Sequence, residues 1–212
     1  MNLRLHEFLP RTQSEGPGER ACVFVQGCPI HCPGCFNTAT WDPHAGYVTT
    51  VDEVFARIIA QPGLEGVTFV GGEPLTQAFA LTALGQKCRA AGLSVVTFTG
   101  YDYAGIQRAN RPDWNALLGV TDLLLAGPFK AEERNFTRPW VGSRNQQFIF
   151  LTERYRHLET QLAGTENSLE VRFDPVTGLR VNGLVEEEFI ARMTAQLAEF
   201  GLKTSTPEHS HA

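Results

Sequence analysis

Apolar residues in this chain occur as short continuous runs that alternate with longer stretches of helical spacing. The short runs predict buried strands over residues 21–25, 66–70, 93–98, 122–125 and 146–151. The helical spacing predicts helices over 50–60, with Thr50 as N-cap, over 75–91, and over 104–118 with a break at Pro112. Strands that alternate with helices are typical of βαβ units. The predicted fold is therefore α/β, an incomplete (β/α) barrel with mostly parallel strands, since a closed barrel takes about 250 residues.

The pattern changes after residue 165. Short apolar runs over 169–173 and 179–181, on either side of Asp174-Pro175 and Gly178, predict a hairpin. Apolar residues at helical spacing predict a helix over 185–200. We therefore predict a barrel over residues 1–165, a hairpin and helix packed on it over 166–202, and a disordered polar tail over 203–212.

Composition limits the expected partners and location. The 212 residues are 42% apolar and carry a formal net charge of −5. This balance gives no broad basic surface, so we expect no nucleic-acid partner. No apolar run approaches the roughly 20 residues that span a bilayer, and the N-terminal segment lacks the apolar core of a signal peptide. We expect a cytoplasmic protein with no membrane partner.

Clustered cysteines provide the first candidate chemistry. The chain has five cysteines, an odd number that argues against a disulfide framework, and Cys28, Cys32 and Cys35 are spaced as C-x3-C-x2-C. Three thiolates can hold a four-iron cubane and leave one iron open. Cys22 and Cys88 fall inside a predicted strand and helix, where buried packing is typical of cysteine. An open metal position favours chemistry at the metal over a purely structural site.

Two other metal sites are compatible with the same three cysteines. A zinc site needs a fourth ligand, which His31 or His44 could supply, although His31 stands between two of the cysteines. A cluster that only carries electrons usually has four cysteine ligands. A non-catalytic zinc or iron–sulfur module therefore stays an alternative to an enzyme.

The residues around the cysteines resemble those of a known family, the activating proteins of anaerobic ribonucleotide reductase, within the radical S-adenosylmethionine (SAM) superfamily. Phe36, directly after the third cysteine, stands where these activases have an aromatic residue. The matching segments run in order through roughly residues 1–150: Gly16-Pro17-Gly18 with Arg20, Phe24-Val25-Gln26-Gly27-Cys28, Cys32-Pro33-Gly34-Cys35-Phe36-Asn37 with Thr40-Trp41, Gly71-Gly72-Glu73-Pro74, Phe98-Thr99-Gly100-Tyr101, Gly127-Pro128-Phe129, and Gly142-Ser143-Arg144-Asn145-Gln146.

The resemblance implies a fold of the radical SAM type and a specific reaction. Cys28, Cys32 and Cys35 would hold a [4Fe–4S] cluster whose open iron binds SAM. Reduced flavodoxin or ferredoxin would supply the electron that cleaves SAM. The resulting 5′-deoxyadenosyl radical would take a hydrogen atom from a glycine in the large subunit of anaerobic ribonucleotide reductase, or in another glycyl-radical protein.

The resemblance also implies a set of SAM-binding residues: Gly34, Phe36, Asn37, Gly71, Gly72, Glu73, Thr99, Gly100 and Asn145. The backbone of Gly71 and Gly72 could approach SAM closely because no Cβ intervenes. Glu73 would place negative charge near the SAM ammonium, or would complement a helix N-terminus. Phe36 would pack on the adenine or belong to the core. Asn145, like the neighbouring Arg144 and Gln146, would contact SAM or a partner backbone, or cap a strand.

Two departures from the family pattern leave the target open. Family members typically have Asp directly before the glycine that is Gly127 here, and this chain has Ala126. The predicted hairpin and helix after residue 165 also extend beyond the short activases. Both features favour the alternative of a related radical SAM enzyme that acts on another peptide, a nucleoside or a small molecule.

Overall fold

The computed structural model describes residues 1–162, 165, 167–174, 178–184 and 187–199. The strands of this part of the chain are β1 Asn2–Thr12, β2 Arg20–Val25, β3 Tyr47–Thr50, β4 Gly66–Gly71, β5 Ser94–Thr99, β6 Leu123–Ala126, β7 Gln147–Phe150, β8 Leu169–Asp174 and β9 Gly178–Gly183. The α-helices are α1 Val51–Ile59, α2 Ala78–Ala90, α3 Tyr103–Ala109, α4 Pro112–Leu118 and α5 Glu187–Glu199. Short 3-10 turns cover Thr38–Thr40, Pro74–Gln77, Ala131–Glu133 and Glu153–Leu158.

Seven of these strands form one sheet in the order β3-β1-β2-β4-β5-β6-β7. The central strands β2, β4, β5 and β6 are parallel to one another. Antiparallel pairing joins β1 to β2 and β3 on one side and β7 to β6 on the other. The predicted α/β class and the parallel centre are thus confirmed. The sheet is an incomplete barrel because its edge strands β3 and β7 do not pair with each other.

The helices lie where the pattern predicts them. Thr50 caps α1 through a capping box, in which its side chain accepts from Glu53 N while the Glu53 carboxylate accepts from Thr50 N. Helix α2 packs against α1 and α4 and contributes buried Leu81 and Leu84 to the core. None of the described helices is long and apolar enough to cross a membrane.

A buried arginine joins the amino ends of the central strands. Arg20 opens β2 and is fully buried. Its guanidinium donates to Thr68 Oγ1 at 2.6 Å and to Val67 O at 3.1 Å, and also to Pro17 O. Tyr155 closes the network, because its hydroxyl lies 3.4 Å from Arg20 Nη1. This end of the sheet is therefore tied together by polar contacts, and the opposite end is left free for the loops that follow the strands.

The segment after residue 165 is described in part. Strands β8 and β9 form the predicted hairpin, and Asn182 Nδ2 donates to Thr12 Oγ1 at 2.9 Å and to Ser14 Oγ at 3.0 Å, so the hairpin touches the barrel. Helix α5 lies within the predicted helix at 185–200. The predicted tail at 203–212 lies outside the described residues, and the division into barrel, hairpin-helix unit and tail stays a prediction.

Candidate functional site

The carboxyl ends of the central strands meet at one edge of the sheet. Val25 at the end of β2 pairs with Gly71 at the end of β4, and Thr99 at the end of β5 pairs with Ala126 at the end of β6. Residues that directly follow these strands therefore lie close together, which is the usual position of sites in parallel α/β folds.

The cysteine loop leaves β2 at this edge and is closed at its base by hydrogen bonds. Gly27 N donates to Thr40 O at 2.8 Å, and Cys28 N donates to Trp41 O at 3.1 Å. The buried Gln26 side chain adds a further link, since its Nε2 donates to Ala39 O at 2.9 Å. The loop is thus held by backbone contacts of the residues that flank the cysteines.

Cys28, Cys32 and Cys35 line a single cavity. Burial raises the pKa of the Cys28 and Cys32 thiols, while a backbone N–H of Phe129 directed at Cys32 acts in the opposite direction. Asn37 N donates to Cys35 Sγ at 3.5 Å. N–H groups directed at sulfur favour the thiolate, which is the form that binds metal.

The other two cysteines lie elsewhere. Cys22 is buried in β2 and Cys88 in α2, and neither lines the cavity. Burial raises the pKa of Cys88 to about 12 and raises that of Cys22 well above its usual range. Both are packed as small apolar side chains, as predicted.

Three thiols that line one cavity suit the separate corners of a cubane. Among the described residues, no group of three Cys, His, Asp or Glu side chains is arranged to hold one metal ion. A cubane has four separate iron corners, so its thiolates need to face one cavity without converging on a point. The imidazoles considered for zinc are not in the cavity wall, because His31 stacks on Trp41 at 4.4 Å between ring centroids and His44 is exposed.

Gly71 and Gly72 both line the cavity, and contacts within the chain also require glycine at these two positions. Gly71 has φ of +104°, and a Cβ there would lie 2.7 Å from Val25 N. A Cβ on Gly72 would lie 2.4 Å from Gly27 O. The missing side chains therefore make room for the backbone of β2 and of the cysteine loop, and the close approach is between two parts of this chain.

Glu73 joins the ends of β4 and β5. Its carboxylate is 1% exposed and accepts hydrogen bonds from Leu75 N at 2.9 Å, Thr99 Oγ1 at 3.0 Å and Gly100 N at 2.8 Å. Burial raises the pKa of Glu73 to about 7, against the opposing effect of these donors. The bond to Leu75 N caps the turn Pro74–Gln77, so the predicted helix-end role is present, and the carboxylate still lines the cavity.

Thr99 and Gly100 form the wall beside Glu73. Thr99 is buried, and its hydroxyl also accepts from Tyr101 N at 3.2 Å. A Cβ on Gly100 would lie 2.6 Å from Ile30 Cδ1, so the cysteine loop and the β5 loop touch at this point. The structure therefore brings Gly71, Gly72, Glu73, Thr99 and Gly100 together with the cysteines.

The remaining predicted SAM contacts, Gly34, Phe36, Asn37 and Asn145, are not in the cavity wall. Phe36 packs edge-on against Phe129 at 5.0 Å between centroids. Asn145 Nδ2 donates to Pro128 O at 2.7 Å.

Several residues of the cavity wall were not predicted as SAM contacts: Ile30, Thr40, Trp41, Val70, Phe98, Gly127 and Phe129. Most of them belong to the segments that carry the family resemblance. Their place in these segments, beside the predicted contacts, could have indicated that they line the cavity. Val70 is an ordinary strand residue, and only the fold places it here.

Comparisons with known proteins agree with this geometry. A family model described as a 4Fe-4S single cluster domain matches residues 14–149, well over half of the chain. The anaerobic ribonucleoside-triphosphate reductase-activating protein of Vibrio cholerae is 31% identical over 153 residues, which cover 68% of this chain and 96% of the relative. The corresponding protein of Salmonella typhimurium is 30% identical over the same shares.

Two further likenesses are more partial. The pyruvate formate-lyase 1-activating enzyme of Escherichia coli is 34% identical over 129 residues, or 58% of this chain and 50% of that protein. The crystal structure of QueE from Escherichia coli matches with a TM-score of 0.41 and 22% identity over 47% of this chain and 53% of that chain, a likeness too distant to bear on function. The family match and the near-complete coverage of the reductase-activating proteins show that this chain belongs to their family, as a radical SAM oxidoreductase of the glycyl-radical activase type that uses a [4Fe–4S] cluster and SAM.

Proposed function

We propose that this chain generates a glycyl radical on anaerobic ribonucleotide reductase, with Cys28, Cys32 and Cys35 as the cluster ligands. The observation that carries the proposal is that three thiols from one loop line the same cavity as Glu73 and Gly100. The reductase is the target named for relatives that this chain covers over 96% of their length.

The bound cluster and SAM supply the one-electron chemistry, in which SAM is cleaved and a hydrogen atom is removed from the target glycine. The protein holds the cluster through its thiolates and exposes the cavity toward the loops after β4, β5 and β6. Backbone N–H groups of Asn37 and Phe129 are directed at the sulfur atoms of Cys35 and Cys32. We propose flavodoxin or ferredoxin as the electron donor and the cytoplasm as the location.

The wall opposite the cysteines is the proposed SAM site. Gly71 and Gly72 present backbone groups to the cavity, and the Glu73 carboxylate offers negative charge for the SAM ammonium. Thr99 and Gly100 fix that carboxylate through the two hydrogen bonds described above.

Four predicted SAM contacts do not line the cavity. We propose that they instead hold residues of the cavity wall in position: Gly34, Phe36, Asn37 and Asn145. Asn37 acts on Cys35 through its backbone N–H, and Phe36 supports Phe129 by ring packing. Asn145 donates a hydrogen bond to the Pro128 carbonyl oxygen. Gly34 has φ of +74°, and a Cβ at this position would lie 3.4 Å from the Phe129 ring.

The residue directly before Gly127 favours a second target protein. Ala126 is fully buried in the core at the end of β6, where family members typically carry an Asp, and it directly precedes Gly127 of the cavity wall. Another glycyl-radical protein, of the pyruvate formate-lyase type, is therefore the second candidate.

The test combines SAM cleavage with radical formation. The cluster is reconstituted anaerobically, reduced with dithionite and mixed with SAM and the candidate target, and 5′-deoxyadenosine is measured by mass spectrometry and the glycyl radical by electron paramagnetic resonance (EPR). Cys28→Ala, Cys32→Ala and Cys35→Ala are each expected to lose bound iron and product. A radical on the reductase but not on pyruvate formate-lyase supports the first target.

Cys88→Ala is the matched control, because Cys88 is equally a free cysteine but is buried in α2 away from the cavity. It should keep wild-type iron and product. Wild-type iron content in any of the three loop variants, or loss of iron in Cys88→Ala alone, would contradict the assignment of ligands.

A further inference from the structure

Trp41 lies in the wall between two cavities. It lines the cavity shared by the three cysteines, and it also lines a neighbouring cavity whose wall includes Arg4 and His31. Cys28 is the one other described residue in the walls of both cavities. The indole therefore stands beside Cys28, whereas Gly71, Gly72 and Glu73 belong to the first cavity alone.

The indole is held from two sides. The Trp41 carbonyl oxygen accepts from Cys28 N at 3.1 Å, which fixes its backbone against the first cysteine. The ring stacks on His31, with the planes 13° apart and the centroids 4.4 Å apart. His31 itself has φ of +50°, a backbone conformation that is rare for a residue with a side chain. The orientation of the indole is thus set by contacts within the cysteine loop.

The indole N–H has no acceptor in the described chain. Trp41 Nε1 is buried and makes no hydrogen bond to any described residue. Buried donors in folded proteins are almost always paired, because an unpaired N–H loses its bond to water on burial. Trp114 shows the ordinary situation, since its Nε1 donates to Leu75 O at 3.1 Å. Because Trp41 lines both cavities, its acceptor is expected from what fills one of them, and the cysteine cavity is the one that would hold the cluster.

We propose that Trp41 is a positioning residue whose Nε1–H donates a hydrogen bond to a sulfur atom of the cluster next to Cys28 and raises its reduction potential. The proposal rests on the cluster ligation proposed above. An added electron increases the negative charge on cluster sulfur, so the N–H bond is stronger in the reduced state. Hydrogen bonds to sulfur are among the means by which proteins set cluster potentials.

Trp41→Phe tests the proposal, because phenylalanine keeps an aromatic ring against His31 and lacks the N–H. A redox titration of the loaded cluster without SAM, followed by EPR, is expected to show about a tenfold lower ratio of reduced to oxidised cluster at a fixed potential, which for one electron is a shift of about 59 mV. Trp114→Phe also loses an indole N–H, but one that is paired inside the protein, and it should leave the ratio unchanged.

Electron–nuclear double resonance gives a second readout that packing alone does not change. The reduced wild-type cluster should show a coupled proton that exchanges in D2O, and this signal should be absent in Trp41→Phe. If Trp41→Phe does not load iron, benzothienylalanine at position 41 preserves the ring shape and removes only the N–H. The same loss of coupling and the same shift are expected there.

Three results distinguish the possible failures. A wild-type potential and an unchanged proton coupling in a fully loaded variant would overturn the proposal. A change that appears only after SAM is added would also overturn it, because the acceptor would then be on SAM. A wild-type protein that binds no cluster would contradict the proposed function itself, which is a separate outcome.

Discussion

Replacing Glu73 by glutamine should remove a pH-dependent cost to stability that the wild-type site carries. The carboxylate is buried and bridges the loops after β4 and β5, and its pKa is raised to about 7 by that burial. An acid with a raised pKa in the folded state binds protons more tightly when folded. The contribution of Glu73 to the free energy of unfolding is therefore fully present at a pH below the ordinary pKa of 4.5. It is lost as the pH rises through the raised pKa of about 7.

The size of the effect follows from the two pKa values. A change from 4.5 to about 7 corresponds to a loss of about 3 kcal/mol in the free energy of unfolding across this window. The glutamine side chain of the variant would have no charge to bury, so this loss should disappear. One amide oxygen would replace two carboxylate oxygens, and the donor Gly100 N at 2.8 Å would face an NH2 group, which costs about 1–3 kcal/mol at every pH.

The assay is urea denaturation of the cluster-free protein under reducing conditions between about pH 5 and pH 8.5, a range that spans the titration of the buried carboxyl. The difference between wild type and Glu73→Gln should change by about 3 kcal/mol in favour of the variant as the pH rises. Burial also raises the pKa of Glu15, to about 8, so the wild-type slope includes a second contribution, and only the difference isolates Glu73.

Glu53→Gln is the matched control. Glu53 is exposed, and hydrogen bonds from Thr50 and Thr49 lower its pKa, so its contribution has the opposite sign. The variant should retain the falling slope of the wild type. Parallel slopes for wild type and Glu73→Gln would refute the reasoning, because they would mean that the carboxylate ionises as easily in the fold as in the unfolded chain.

Two further substitutions test the frame of the site, both by urea denaturation of the cluster-free protein. Arg20→Met should lower the free energy of unfolding by about 3 kcal/mol or more, because it leaves Val67 O, Pro17 O and Thr68 Oγ1 without their buried donor. Arg156→Met is the control, because it removes only an exposed ion pair with Glu153 and should cost less than about 1 kcal/mol. Equal losses of stability in the two arginine variants would contradict a stabilising role of the buried Arg20 network. Gly72→Ala should cost about 2 kcal/mol or more and lower the iron content after reconstitution, since its Cβ would lie 2.4 Å from Gly27 O in the cysteine loop. Gly119→Ala, whose Cβ would meet its nearest neighbour at an ordinary 3.4 Å, is the control, and a wild-type stability for Gly72→Ala would refute the argument.

Local signals predicted most of the fold. The apolar run at 66–70 is β4, Thr50 caps α1, and the break at Pro112 separates α3 from α4, with Asn110 at φ +43° ending the first of them. These features depend on a few neighbouring residues, which is why the sequence alone is sufficient for them.

Strands β1 and β3 were missed for physical reasons. Strand β1 contains Pro10, and its pairing with β2 shifts register between Leu5 and Glu7 and again between Leu9 and Thr12, so no regular alternation is visible. Strand β3 lies at the edge with Tyr47 and Val48 exposed, so it has no clear buried face. Both are stabilised by partners far along the chain, which a local pattern does not show.

The same contrast applies to the candidate site. The three cysteines are visible in the sequence because their spacing is local and their chemistry is specific. The environment of Glu73 was not visible, since it depends on the ends of β4 and β5 meeting so that Thr99 and Gly100 reach its carboxylate. The packing of Phe36 on Phe129 was not visible either, because a separate loop brings Phe129 to it.

The cysteine loop is held by contacts that do not involve its sulfur atoms. Hydrogen bonds from Gly27 N to Thr40 O and from Cys28 N to Trp41 O close its base, and Gly72 packs on the Gly27 carbonyl. Glu73 N donates to that same carbonyl at 2.9 Å, which joins the loop to the end of β4. In small zinc domains the metal supplies the folding energy, because no such frame exists without it. In this chain, hydrogen bonds of the sheet edge and the backbone also hold the cysteine loop, in addition to any metal ligation.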